Sequence, residues 1–374
     1  MSITLKEVRS WKDLKAFVKV PFTLYRTNPY WVPPLIKNEL DTLNPEKNPA
    51  FQYCEAAYWI AYKKRQAAGR IAVILNRKFN EKWNRNQVSF SRFDFADDEA
   101  VSRALMTRAE QWARDRNAEG IHGPLGFTNF DQQGMLIEGF EETPTLASVY
   151  NHPYYPAHMH KMDFTKEIDY VEFEVKTPAK VPEKAARLSD IILKRLNLRL
   201  FKAKSKKELL PYSEQIFDVI NKAYTDIFYS VELSDQQINM YKKKYMSFID
   251  PEFVSLILDS GGRVIGFTLA MPSLSRAFQK AGGRLFPWGF WHIWHALKNP
   301  GHLDLYLVGI IPSYQNKGVN AVFMSDLTRT AIKHGIQSTE TNSELETNKK
   351  VQAFWKYYDA RMHKRKRVFQ KKIQ

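Results

Sequence analysis

The spacing of apolar residues changes period several times along the chain, and each change marks an element. Residues 3–8, ITLKEV, alternate apolar and polar and predict a short strand. In TNPYWVPPLIKNEL, residues 27–40, Pro29, Pro33 and Pro34 forbid a regular element, and Tyr30 and Trp31 are expected to pin the loop onto a core. Tyr58–Leu75 predicts two strands joined by a short turn, and Val88–Phe95 alternates again. Asp97, Asp98 and Glu99 then open an amphipathic helix with Val101, Leu105, Ala109 and Trp112 on one face and Gly120 beyond its end.

The second half repeats this order. Val254–Leu269 predicts a strand, a Gly-Gly turn and a strand; Leu303–Ile311 predicts another strand. After Pro312 a short loop feeds a helix carrying Phe323, Leu327 and Ala331, which stops at Gly335. Gly69-Arg70-Ile71 and Gly262-Arg263-Val264 fall at the same place in each half, so the architecture repeats although the residues do not. The expected fold is α/β, with a mixed sheet flanked by helices in each of two domains. These are residues 1–175 and 207–374, joined by a proline- and lysine-rich connector at 176–206.

A length of 374 residues allows two or three domains at roughly 150 residues each. Charged residues at 26% and aromatics at 14% exclude a disordered or fibrous chain. Cys54 is the only cysteine and cannot form an internal disulfide; with no apolar leader in MSITLKEVRSWKDLKAF and no long uncharged apolar run, a cytoplasmic protein is expected. The net charge of +16 favours an acidic partner. Nucleic acid, an anionic membrane face, an acidic carrier protein and a phosphorylated cofactor all qualify, and the charge does not choose among them.

The segment Ile310-Ile311-Pro312-Ser313-Tyr314-Gln315-Asn316-Lys317-Gly318-Val319-Asn320 narrows the choice. A strand ends, proline breaks it, and a glycine-containing turn leads into a helix, whose N-terminus offers amide donors and a favourable dipole to an anion. Gly318 permits close approach of the backbone and Lys317 adds a cation. An ordinary strand-to-helix turn fits the spacing equally well.

This segment resembles the phosphate loop of the GNAT acyltransferase superfamily, Q/R-x-x-G-x-G/A, with Asn320 in place of the last small residue. The double plan, WVPPL and GPLGF resemble a bacterial family of tandem GNAT-like proteins. The resemblance implies an N-acyltransferase that uses acetyl-CoA or a longer acyl-CoA, or an acyl carrier protein, and a small-molecule or peptide amine. It assigns the pantetheine arm to the main chain of Ile310 and Ile311, and the pyrophosphate to Gln315, Asn316, Lys317, Gly318, Val319 and Asn320. Asn348 matches an asparagine that starts the family's last helix and contacts the cofactor. The family's tyrosine acid in that helix corresponds to Trp355, which leaves that role empty unless Tyr357 or Tyr358 reaches the sulfur. In the first half Asp97, Asp98 and Glu99 stand where a phosphate loop belongs and would repel a pyrophosphate, so that half is expected to be non-catalytic.

If residues 338–347 form one strand, Glu340, Asn342, Glu344 and Glu346 share a face. Adjacent carboxylates raise one another's pKa and attract a cationic amine. Glu340 is the first choice of base, because its position matches an acidic residue of the family strand; solvated carboxylates are the plain alternative. The aromatic stretch RLFPWGFWHIWHAL, residues 284–297, suits an acyl channel, a membrane contact through 285–297, packing on the first domain, or a homodimer contact. Gly123–Phe127, Gln132-Gln133-Gly134 and Tyr150–Tyr155 suit an acceptor pocket or an irregular packed loop. His158-x-His160 and His292-x-x-His295 lack partners for a tetrahedral site, so no metal is expected. The basic RMHKRKRVFQKK, residues 361–372, is expected to be the last strand, with a solvated or cofactor-facing edge. Competing readings are a binding protein that kept the fold without the chemistry and a tRNA-dependent aminoacyl transferase. Nucleic acid other than tRNA is not expected.

Overall fold

The computed structural model describes residues 2–246 and 249–373. The first half runs β1 (Ile3–Glu7), α1 (Trp11–Leu24), α2 (Ile36–Leu43), β2 (Cys54–Lys63), β3 (Gln66–Asn76), α3 (Arg77–Trp83), β4 (Gln87–Phe95), α4 (Glu99–Arg114), β5 (Gly120–Gly123), β6 (Met135–Glu138), α5 (Tyr155–Lys161) and β7 (Thr165–Lys176). The second half opens with α6 (Glu183–Arg195), β8 (Arg199–Phe201), α7 (Lys206–Leu209), α8 (Ser213–Ala223) and α9 (Asp235–Met246). It continues with β9 (Val254–Leu258), β10 (Val264–Pro272), α10 (Ser275–Ala281), α11 (Gly289–Lys298), β11 (His302–Ile310), α12 (Val319–Lys333), β12 (Ser338–Thr341), β13 (Glu344–Leu345), α13 (Lys349–Trp355) and β14 (Ala360–Lys372). Both expected hairpins form, as β2–β3 and β9–β10. Lys64 and Arg65 turn the first through positive φ, 51° and 64°, and Asp98 caps α4 by accepting from the amide of Ala100.

All strands join one mixed sheet in the order β1-β2-β3-β4-β5-β14-β7-β12-β11-β10-β9-β8, with β13 on β7 and β6 on β14. The two halves exchange strands. β7 leaves the first half to pair with β12 of the second, and β14 returns to lie between β5 and β7. One apolar cluster lies under α4 around Phe90 and Phe95, and another under α12 around Phe267 and Phe323. A third includes Tyr229, a second-half residue sunk into the first half, where its hydroxyl donates to the Gly126 carbonyl at 2.8 Å.

Charge fixes the register of the exchange. Lys364 and Lys366 of β14 are fully buried against Glu172 of β7, at 3.2 and 2.8 Å, and Lys364 also pairs with Glu340. Burial opposes the ionised form of Glu172, but the ammonium groups of Lys366 and Lys364 outweigh it and hold the carboxyl well below the usual range. Around them Arg367 grips Asp169 at 2.8 Å, and Arg361 spans Glu142 and Glu174 at 2.6 and 2.7 Å. The basic tail is therefore an interior strand, not the expected solvated or cofactor-facing edge. The expected strand 338–347 is also broken, since β12 ends at Thr341 and β13 starts at Glu344. Within 176–206 the chain forms α6, which packs along α12 through Ile192. Among the described residues, no helix is long and apolar enough to cross a membrane.

Candidate functional site

In the second half β11 and β12 pair in parallel from His302↔Ser338 to Leu305↔Thr341, and then separate. β11 runs on to Ile310, with Tyr306 as an extra residue in its ladder with β10. Asn342 holds the split open: its amide donates to the Leu305 carbonyl at 3.1 Å and its side chain to the Tyr306 carbonyl at 3.0 Å. The wedge between the strands opens into a cavity of about 1600 Å³ lined by both halves.

The predicted loop stands at one wall of this cavity. Ile310, Gln315, Asn316, Gly318, Val319 and Asn320 line it, as does Asn348; Ile311 and Lys317 do not. Gly318 occupies the N-cap of α12 with φ 86°, a conformation that favours glycine, and no side chain caps the helix among the described residues. Gln315 donates to the Ile310 carbonyl at 2.9 Å and braces the turn, while Lys317 lies over the Tyr314 ring at 5.2 Å. A Cβ at Gly318 would lie 2.8 Å from Ile192 of α6, so the glycine is also required by packing.

Two carboxylates separate here. Glu340 is absent from the cavity lining; it pairs with Lys364, and its nearest histidine nitrogen, on His363, is 3.4 Å away. Glu172, Glu340 and His363 bring oxygen and nitrogen atoms within 4.8 Å of one another, around the ammonium groups of Lys364 and Lys366. Glu346 turns to Lys166 at 2.5 Å. Glu344 lines the cavity instead, because the break after Thr341 turns it away from Glu340. Burial pushes its carboxyl up to about 8, with the Trp355 indole N–H acting in the other direction. Tyr357 and Tyr358 line the same wall. The sequence offers Glu344 as one of three carboxylates on the expected face, with Glu340 preferred; the Asn342-Ser343 turn that singles it out has no signature of its own.

The first half has the same wedge with a different content. β4 and β5 pair only from Gln87↔Gly120 to Ser89↔His122, and β4 continues to Phe95, the counterpart of Ile310. Tyr155 accepts from the Phe95 amide at 2.9 Å and Tyr154 donates to its carbonyl at 2.6 Å. His158 sits between Ser102 and Asp97 at 2.8 and 3.0 Å, beside the Asp98 cap of α4. Side chains of Tyr155 and Tyr154 thus occupy both main-chain polar groups of Phe95, next to the wedge. Pro124, Gln132, Gln133, Gly134, Tyr150 and Asn151, from the second glycine-bearing stretch and the aromatic segment after it, also line the shared cavity.

Among solved structures, a tandem GNAT protein from the clavulanic acid biosynthesis pathway aligns with 100% of this chain and 99% of its own, with a TM-score of 0.57 at 10% identity. This is the tandem GNAT fold. A GCN5-related N-acetyltransferase from Sphaerobacter thermophilus shares the GNAT fold over 100% of this chain and 96% of its own, at a TM-score of 0.53 and 12% identity. A probable N-acyltransferase from Enterococcus faecalis V583 gives a TM-score of 0.51 at 8% identity over 100% of this chain and 73% of its own. In sequence, the chain is 26% identical to Protein YghO of Escherichia coli K12 over 96% of its length and 93% of that protein. It is 22% identical to the bacterial ceramide synthase of Caulobacter vibrioides over 98% of its length and 96% of that enzyme. No protein-family model matches it.

Proposed function

We propose that the second half binds an acyl-CoA and that the protein is an N-acyltransferase in which Glu344 takes the proton from the attacking amine. The carrying observation is the convergence on one cavity of the split β11 strand, the N-terminus of α12 with no side-chain cap, and the half-buried Glu344 carboxyl, which desolvation pushes up to about 8. The amides of Gly318–Asn320 offer donors to a pyrophosphate. The Ile311 amide is spent on the Ile265 carbonyl and the Ile310 carbonyl on Gln315, so the split part of β11 before them is left to face an amide-bearing arm. Acyl-CoA supplies the activated acyl thioester. Glu344 is poised for the remaining task, since a base with a pKa near the working pH accepts an amine proton efficiently. Trp355 holds the carboxylate in place, and Tyr357 or Tyr358 supplies the proton for the departing sulfur.

The cavity exceeds the roughly 300–1,000 Å³ that suffices for drug-sized ligands. Leu269, Met271, Phe278 and Phe323 give it an apolar side. A long acyl chain, a long-chain amine, or both suit that volume, and the likeness to a bacterial ceramide synthase supports amide formation on such a substrate. A net charge of +16 also suits delivery of the acyl group by an acidic carrier protein.

Asn320→Asp tests the cofactor site more cleanly than a change at Gly318, which would also disturb Ile192. Aspartate in the first turn of α12 favours the helix but repels a pyrophosphate. Calorimetric titration with acetyl-CoA and palmitoyl-CoA is expected to show micromolar binding that weakens about tenfold or more in N320D, with no loss of thermal stability. Absence of binding to both thioesters, or equal binding by N320D, would overturn the reading.

A further inference from the structure

The sequence leaves four readings open for the segment 284–297, and the structure separates its two sides. Only Gly289 and Ile293 of α11 are buried. Phe286, Trp288, Phe290, Trp291 and Trp294 are 80, 75, 58, 60 and 42% exposed, the largest group of bare aromatics among the described residues. Phe290 and Trp294 are four residues apart on α11, and Trp291 stacks on Trp294 at 5.2 Å between ring centres, so the aromatics form one outward stripe. Packing on the first half is done by the preceding helix. Gln279 of α10 donates to the carbonyls of Pro29 and Trp31 at 2.9 and 3.2 Å, and the Ile36 amide donates to Gly283 at 3.0 Å. The stripe is thus held on a rigid base and turned away from the molecule.

The charge carried by this stretch of chain has one sign. No Asp or Glu occurs between Asp259 and Asp304, whereas Arg276, Lys280, Arg284 and Lys298 are all exposed. A stripe of Trp and Phe rimmed by cations matches the boundary between acyl chains and anionic headgroups, where indole rings sit at headgroup depth. A second copy of this chain would bring the same cations against one another. The base of the segment also borders the cavity, since Leu274 and Phe278 of α10 line it.

We propose that α11 and the loop before it dock the protein on an anionic phospholipid surface, with Phe286, Trp288 and Trp291 entering the interface and Arg284 and Lys298 on the headgroups. This goes beyond the acyltransferase reading and does not depend on it. The test is flotation with vesicles of equimolar phosphatidylcholine and phosphatidylglycerol, with phosphatidylcholine alone as comparison. Wild type is expected to float with the mixed vesicles, to float far less with phosphatidylcholine, and to be released by salt. Phe286→Ser with Trp288→Ser and Trp291→Ser should weaken flotation about tenfold or more, and Arg284→Glu with Lys298→Glu should weaken it on the anionic vesicles alone. Failure of wild type to float, flotation of both variants like wild type, or a lipid-free dimer that the aromatic variant dissociates without any flotation of wild type would each overturn the proposal. Acyl-CoA titration of the aromatic variant keeps the two readings apart: retained binding with lost flotation separates docking from the acyltransfer site, and that titration failing in wild type leaves the flotation result standing.

Discussion

The indole N–H of Trp355 donates to both carboxylate oxygens of Glu344, at 3.0 and 3.2 Å. Tryptophan has no proton to give at a useful pKa, so at this position it serves as a holder of the neighbouring acid. The residue that departs from the GNAT pattern and the carboxylate that faces the cavity are two parts of one arrangement. Burial raises the pKa of Glu344 and the indole limits the rise.

As a base Glu344 works only when deprotonated, so kcat/KM should climb with pH and level off above about 8. Glu344→Gln should lower kcat by roughly 10² to 10⁴ and flatten that limb. Stability should move the other way. The folded-state pKa of about 8 lies above the ordinary 4.5, so the stability linked to this group is complete below the ordinary value and lost as pH rises through about 8. E344Q is therefore expected to melt at a higher temperature than wild type in alkaline buffer, with no such gain in acid. Unchanged kcat in E344Q would remove Glu344 from the chemistry.

Trp355→Phe keeps an aromatic ring and deletes the N–H. Because that donor lowers the Glu344 pKa, its loss should shift the pH–rate limb to higher pH while acyl-CoA affinity is kept. A pH profile superimposable on that of wild type would show that the indole only fills space.

Tyr154, Tyr155 and His158 fill the wedge of the first half, and Asp98 caps its helix. Calorimetry should therefore find one acyl-CoA per chain, not two. Asp98→Asn should leave that stoichiometry and affinity unchanged. A second site of comparable affinity would contradict the assignment of the two halves.

Lys364→Met removes a buried cation from between Glu172 and Glu340. Loss of one partner from a buried pair costs about 3–5 kcal/mol, measurable by urea unfolding. The two halves should still unfold together, since they share the interior strands. A loss below about 1 kcal/mol would mean that the carboxylates simply take up protons.

Much of the fold was legible because its signals are local. The alternation in Tyr58–Leu75 and Val254–Leu269, the acids before α4 and the Gly318 turn each announce an element by their neighbours in the chain. The exchange of β7 and β14 leaves no such trace, since it pairs segments far apart in sequence. Its one signal was chemical: Glu172 in the apolar run YVEFEV and the Lys364-x-Lys366 pair are each costly to bury alone and suited to be buried together. The site was half legible for the same reason. The turn at Gln315–Asn320 could be located from its strand-glycine-helix order and singled out by its likeness to a phosphate loop, whereas the separation of Glu344 from Glu340 depends on where Asn342 finds its carbonyl partners.

The strand exchange also constrains the order of events during synthesis. β5 ends at Gly123, yet the strand that completes its ladder begins at Ala360. On the ribosome the first half emerges with β5 and β7 lacking the neighbour that lies between them, and open ladder edges of this kind invite pairing with other chains. The first half cannot close as an independent unit while translation continues, and a nascent chain stalled before Ala360 is a natural client for chaperones.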